Sequence, residues 1–328
     1  MSIDAPACEG SSMSIEVIKP GALSTFQDLG RVGYQHLGIP VNGVMDERAH
    51  RLANALVGNP PAMPTLEITL MGPTLRFHDT ATIAFSGGNL DCQLDGQPLF
   101  SHCALNVPAG GEISFGDRRT GLRTYLAVRG GFAIEPVMGS TSTFTRGGYG
   151  GHAGRPLKKG DKLVTRESTP WHSRSLFSET VFADDVLSSN NAPIRITRGR
   201  EWRYFTADAQ RALEHQTYKI TAQSDRMGYR LQGPELGLVA PREMASEAVA
   251  FGAIQVPADG QPIILMADRQ TTGGYPKIAH VCAVDLPRLA QQIPGDSVRF
   301  ALVDLAEAQR LLLSQEGSFA QLEQLCHA

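Results

Sequence analysis

The feature that most constrains this chain is its punctuation. Short runs rich in β-branched and aromatic residues lie at 15–18, 66–70, 82–85, 112–115, 123–128, 194–197, 218–221, 263–266, 278–284 and 298–303, and Gly, Pro, Asp or Asn usually bounds them. Runs of that length with such ends read as strands joined by turns. Glycine (34) and proline (20) are spread along the 328 residues without a period, which excludes collagen and argues against a helical bundle. Helical periodicity is confined to a few places. Residues 45–57 carry Met45, Ala49, Leu52, Ala53 and Leu56 on one stripe and end at Gly58, a good left-handed stop. A second helix is predicted after Asp304, where Asp304 and Glu307 have capping-box spacing, with Gly317 closing it. Shorter helices are expected over 207–215 and 286–291. The pattern predicts a mainly β fold of barrels with accessory helices, without βαβ alternation.

Length points to two lobes, since 328 residues is about twice the usual domain size. The expected division is a disordered tail over 1–13, a β-rich lobe over 14–185, and a second lobe with a C-terminal helix over 186–328. The polar stretch 168–191 serves as the linker. An internal echo supports related halves: Gly72-Pro73-Thr74-Leu75 and Val107-Pro108-Ala109-Gly110 in the first, Gly233-Pro234-Glu235-Leu236 and Val256-Pro257-Ala258-Asp259 in the second. Val-Pro-Ala is also a common turn, so coincidence explains the echo about as well.

Charge and cysteine content narrow the partners. A net charge of −3 removes the simplest electrostatic case for nucleic acid or a membrane surface. The strongest apolar run, 263–267, stops at Asp268, far short of the ~20 residues that span a bilayer. Five scattered cysteines without a Cys-x-x-Cys argue against a disulfide framework or a structural zinc, and for a reducing cytoplasm. The first residues lack the order of a signal peptide, and Met13 is a workable start for the folded part.

Three segments concentrate polar side chains and glycine. They are 21–46, with Gln27, Asp28 and Asp46; 223–230, with Asp225 and Arg226; and 267–277, with Asp268, Arg269, Gln270, Thr271, Tyr275 and Lys277. In the last two an Asp-Arg dipeptide stands between a strand and a glycine turn. A guanidinium fixed beside a carboxylate recognises small planar or anionic groups bidentately. The same dipeptides serve equally well to pin a loop. Signatures of other chemistries are missing from the sequence: no phosphate-binding Gly-x-x-x-x-Gly-Lys, no Gly-x-Ser-x-Gly elbow, no His-Glu-x-x-His and no biotin-attachment Met-Lys-Met. Lys277 beside Gly273-Gly274 is a weak candidate for a phosphate contact, against a plain surface lysine. No metal ligands are expected.

Gln27-Asp28-Leu29-Gly30-Arg31, Gly43-Val44-Met45-Asp46, Leu56-Val57-Gly58-Asn59, residues 223–228, Ser246-Glu247, 252–257 and 267–278 together resemble the KipA family, also called allophanate hydrolase subunit 2 or biotin-dependent carboxyltransferase-like proteins. The resemblance runs from about Ser14 to about Leu302. It departs from the family where Asn42 stands for a usual serine, where Ala248 stands for a usual glycine, and where 142–145 is apolar and hydroxyl-rich in place of a charge.

The resemblance implies a cyclophilin-like β-barrel architecture and a partner of the KipI type, which in 5-oxoprolinase is the B subunit. With a third protein, the A subunit, such an assembly opens 5-oxoproline to glutamate at the expense of ATP. On that expectation Arg226 and Arg269 hold anionic groups, Asp225, Glu247 and Asp268 orient them or move a proton, and Gln255, Gln270 and Tyr275 donate hydrogen bonds to the substrate. Gln27, Asp28, Asp46 and Thr271 complete the binding set. ATP is expected on or beside a partner protein. One alternative is a carboxyltransferase of the urea carboxylase type, with biotin carried by another chain. The other is a non-catalytic regulator that binds a KipI-like kinase inhibitor. The site is expected to form mainly from the second half, in a cleft, and to be completed by the partner or the N-terminal segment.

Overall fold

A computed structural model describes residues 13–166 and 192–327. Of the expected tail over 1–13, residues 1–12 fall outside the described residues, as does the linker over 168–191, whereas Met13 belongs to the first strand. The first half builds two antiparallel sheets. One has the order β11 (Lys162–Thr165), β1 (Met13–Lys19), β4 (Thr74–Phe77), β9 (Glu112–Phe115), β6 (Cys92–Leu94) and β7 (Gln97–Pro98). The other runs β2 (Leu23–Gln27), β3 (Thr65–Thr69), β10 (Thr120–Val128), β5 (Ala81–Asn89) and β8 (Ala104–Val107). Ile15, Val17, Leu75 and Phe77 of the first meet Phe26, Leu66, Ile68 and Leu126 of the second in one core.

The second half is a single eight-stranded sheet. Its order is β20 (Ser297–Val298), β13 (Tyr218–Ile220), β14 (Gly228–Gln232), β17 (Ile263–Leu265), β16 (Ala253–Gln255), β19 (Lys277–Val281), β12 (Ile194–Arg198) and β21 (Phe300–Leu302). The two edge strands, β20 and β21, are separated in sequence only by Arg299, so the sheet curls until its edges nearly meet. The predicted strand over 298–303 is therefore split, one piece serving each edge. The mainly β, barrel-like fold follows from this closure. A short ribbon of β15 (Glu247–Ala248) and β18 (Thr272–Gly273) stands apart from the barrel sheet.

Four α-helices are described. Helix α1 (Glu47–Leu56) is capped by Asp46, whose Oδ1 accepts from the Ala49 amide at 2.9 Å, and Gly58 at φ 69° ends it as expected. Helix α2 (Ala207–His215) buries Ala209 and Leu213 in the barrel core. Helix α3 is Leu286–Ala290. The expected strand over 278–284 stops at Val281, and a single 3₁₀ turn over Ala283–Asp285 leads into α3.

Helix α4 (Leu305–His327) starts where predicted, with Asp304 Oδ1 accepting from the Glu307 amide at 2.8 Å. It does not stop at Gly317. An interior glycine costs a helix about 1 kcal/mol, whereas beyond it Leu322 and Cys326 pack into a cluster with Ala49, Leu52, Ala53 and Leu56 of α1. Burying side chains of that size offsets the glycine. Arg51 secures the crossing, 2.9 Å from Glu316 and 4.2 Å from the Phe319 ring centre.

Candidate active site between the halves

The turn before β14 sends its Asp-Arg dipeptide in two directions. Asp225 is exposed, and its Oδ1 accepts from the amides of Met227 (2.8 Å) and Gly228 (3.2 Å), which fixes the turn. Arg226 points inward. Its Nε donates to Asp268 Oδ2 at 2.8 Å, its Nη2 to Asp268 Oδ1 at 3.0 Å and to the Gly43 carbonyl at 2.6 Å, and its Nη1 to Glu67. Asp268 follows β17 and is buried, as are Glu67 and Arg226. Burial of such charges is tolerated because each has a counter-charge. Burial opposes ionisation of Arg226, but Asp268 and Glu67 outweigh it and raise its pKa. Burial likewise pushes the Glu67 carboxyl up, and Arg226 and Arg123 more than reverse that.

The first half completes this seam. Asn42, in the left-handed region at φ 58°, donates from Nδ2 to Asp268 Oδ1 at 2.8 Å and accepts from Arg31 Nη1 at 3.1 Å. Asparagine tolerates that backbone better than a branched residue does. Glu67 Oε2 accepts from the Tyr125 hydroxyl (2.8 Å) and the Met45 amide (3.0 Å), and the Asp46 amide donates to the same hydroxyl oxygen at 2.8 Å. Asp46 is occupied as the α1 cap and as acceptor from Gln291 Nε2 at 2.7 Å; burial raises its pKa. Arg226 and Asp268 therefore join the halves as a buried pair, and do not stand on an open rim.

Above the seam lies a cavity of about 270 Å³, whose lining includes Asn42, Arg48, Phe251, Arg269, Leu286 and Phe319. Arg269 continues the chain from Asp268 but turns the other way. Its Nε donates to the Val249 carbonyl at 3.3 Å, and its guanidinium lies 5.8 Å from the Phe251 ring centre. Burial lowers its pKa, with Asp268 opposing. Gln35 buttresses this wall from the first half, donating to the Val249 (3.1 Å) and Thr271 (2.8 Å) carbonyls. A cationic, planar donor against an apolar wall suits a small ligand that combines a carboxylate with an uncharged ring.

The remaining candidates form two further groups. Lys277 lies buried with its Nζ 2.6 Å from Glu247 and 3.6 Å from Glu201, and Arg200 reaches Glu247 at 2.9 Å. Lys277, more than any other neighbour, draws the Glu247 pKa down. Two carboxylates around one ammonium leave a phosphate little to gain there. Gln255 is buried and donates to the Tyr275 carbonyl at 3.4 Å, whereas Gln270 and Tyr275 are exposed. A Cβ on Gly273 would come within 2.6 Å of Gln255 Nε2 and 2.9 Å of Gln270 Nε2, so the glycine lets the two amides approach.

Gln27 and Asp28 sit deeper in the first half. Gln27 Nε2 donates to Thr25 Oγ1 (3.1 Å) and the Thr143 carbonyl (3.3 Å). Asp28 accepts from the Ser140 and Ser142 hydroxyls, both at 2.6 Å, and from the amide and hydroxyl of Thr141. Burial raises its pKa, but Ser140 and Ser142 outweigh that and hold it low. Ser142, which opens the hydroxyl-rich stretch noted over 142–145, thus joins the two hydroxyl residues before it in the cradle of Asp28. Glu67, Arg123, Tyr125 and Arg31 were absent from the expected site. A lone Glu in the otherwise uncharged run Thr65–Thr69 was the signal available for Glu67. Among the described residues no group of three or more His, Cys, Asp or Glu is placed to hold a metal, and no helix is long and apolar enough to cross a membrane.

Comparison with known proteins adds to this geometry. Residues 37–302 match the carboxyltransferase domain, subdomain A and B. The chain is 38% identical over 311 residues to the 5-oxoprolinase C subunit of Haemophilus influenzae, covering 95% of this chain and 98% of that protein. It is 38% identical over 313 residues to the 5-oxoprolinase C subunit of Escherichia coli, covering 95% and 99%. The crystal structure of the Kluyveromyces lactis urea amidolyase superposes with a TM-score of 0.88 at 31% identity, over 96% of this chain and 20% of that much longer one.

Proposed function

Because the chain belongs to the carboxyltransferase domain family, subdomain A and B, and matches two 5-oxoprolinase C subunits over nearly their whole length, we propose that it is the C subunit of an ATP-dependent 5-oxoprolinase. In this reading it acts with the A and B subunits to open 5-oxo-L-proline to L-glutamate. The structural observation that carries it is Arg269, presented to a cavity of about 270 Å³ with the Phe251 ring beside it. 5-Oxoproline is a flat lactam with one carboxylate, and Arg269 offers that carboxylate a paired donor while the apolar wall takes the ring. Opening a lactam requires the loss of amide resonance, and phosphorylation of the carbonyl oxygen by ATP overcomes it. The chain's part is to bind and orient the ring: Asn42, Asp268 and Arg226 fix the cavity floor, so that its donors need not reorganise as negative charge develops. Glu247 and Lys277, hydrogen-bonded at 2.6 Å, are the candidates for proton transfer and lie outside the lining of that cavity.

The purified A and B subunits together with this chain should convert 5-oxoproline with ATP, and omission of this chain should abolish turnover. Full activity of the other two proteins alone would end the proposal. The urea amidolyase superposition favours a second reading, carboxyl transfer from carboxybiotin held by another chain to a urea-like amide. Co-purification of a biotinylated protein with this chain, and carboxylation of urea by that complex, would favour it over the oxoprolinase.

A further inference from the structure

A second, smaller concavity of about 140 Å³ lies beside the cavity that holds Arg269 and shares Arg48 and Gln315 with it. Its lining brings together three arginines from three elements, Arg48 of α1, Arg195 of β12 and Arg288 of α3, and no carboxylate. One acid, Asp285, stands behind two of them, and the charge of Arg48 acts on the Asp46 carboxyl. Asp285, fully buried, accepts from the Arg195 amide (2.7 Å), from Arg195 Nε (2.9 Å) and Nη2 (2.8 Å), and from Arg288 Nη1 (3.1 Å). Arg288 is also tied to the Ala192 carbonyl at 2.7 Å. Two guanidiniums are thus held by a single carboxylate, an excess of one positive charge, and Arg48 lines the same concavity. The acid of α4 that feels Arg195, Glu307, is taken by Arg310 at 2.6 Å and 2.7 Å. The opposite wall is α4, where the exposed Ser314 and Ser318 carry hydroxyls.

We infer that this concavity binds a compact tetrahedral oxyanion of the phosphate class. Planar guanidiniums that converge from different elements match phosphate oxygens geometrically, and because Arg195 and Arg288 are already fixed, little of their side-chain freedom is lost on binding. The volume admits a phosphoryl group and excludes a nucleoside, so the ligand is free phosphate or the terminal phosphate of a nucleotide whose remainder lies outside. The inference stands on these residues and not on the oxoprolinase proposal.

The test is calorimetric titration of the full chain with inorganic phosphate at constant ionic strength. Expected is saturable one-site binding with Kd at or below about 1 mM, weakened roughly tenfold or more in both Arg48→Gln and Ser314→Asp. The thermal midpoint without phosphate is measured alongside. If Arg48→Gln lowers it, Ser314→Asp decides, since that side chain is exposed. Competition by ATP with the same variant sensitivity would identify a nucleotide phosphate as the source; its absence would identify free phosphate. No saturable binding, affinity unchanged in Ser314→Asp, or equal competition by glutamate would overturn the inference.

Discussion

The two Asp-Arg dipeptides look alike in sequence and do opposite things. In 225–226 the acid faces solvent and the arginine is buried; in 268–269 the acid is buried and the arginine faces a cavity. The buried member of each is the partner of the other, Arg226 Nε standing 2.8 Å from Asp268 Oδ2. A one-residue change of phase at the end of a strand sends successive side chains to opposite faces. That phase separates a residue that holds the halves together from one that can meet a ligand.

The largest effect expected from breaking this pairing is on stability. Arg226→Ala takes from the buried Asp268 its counter-charge and leaves Glu67 with Arg123 alone, which should cost about 3–5 kcal/mol, read as a lower midpoint of urea denaturation. A loss comparable with that at an exposed arginine would mean that the seam is not a keystone. Acid should weaken the same seam. Glu67 is held below its ordinary value of 4.5 by Arg226 and Arg123, against burial. Its contribution to stability is therefore complete above that value and is lost as pH falls through the lower folded value. Glu67→Gln should flatten this part of the acid-denaturation profile.

Arg269→Ala tests the outward member. It should cut turnover of the reconstituted complex at least tenfold, about 1.4 kcal/mol of transition-state stabilisation, and shift stability by less than about 1 kcal/mol. Wild-type turnover in a folded variant complex would move the site elsewhere. Smallest is Asp225→Ala, which removes two turn hydrogen bonds at the surface. It should cost under about 1 kcal/mol, with no change in turnover; a tenfold loss of activity would make Asp225 a site residue after all.

Much of this architecture is legible in the chain because its signals are local. Strands such as Glu112–Phe115 and Ile194–Arg198, and the capped start of α1, follow from alternation and turn residues within a few positions. What local pattern does not carry is which distant charges meet. Glu67 and Arg226 are 159 positions apart, and nothing beside either one names the other. Gly317 misled for the same reason: its stop signal is local, and the contacts that override it come from α1. For the site, the arginines and acids were visible as residue types, but their division into buried and presented members depended on the phase at which each strand ends.

Helix α4 has a consequence for the order of assembly. It follows every described strand in sequence, yet Phe319 lines the larger cavity and Ser314 the smaller. During synthesis, when domains tend to fold from the N-terminus onward, both sheets of the first half and the barrel emerge before either cavity has its outer wall. The chain thus acquires a folded body first and a finished pocket last, so a nascent protein lacking only its final helix would be compact but without an enclosed place for a small ligand.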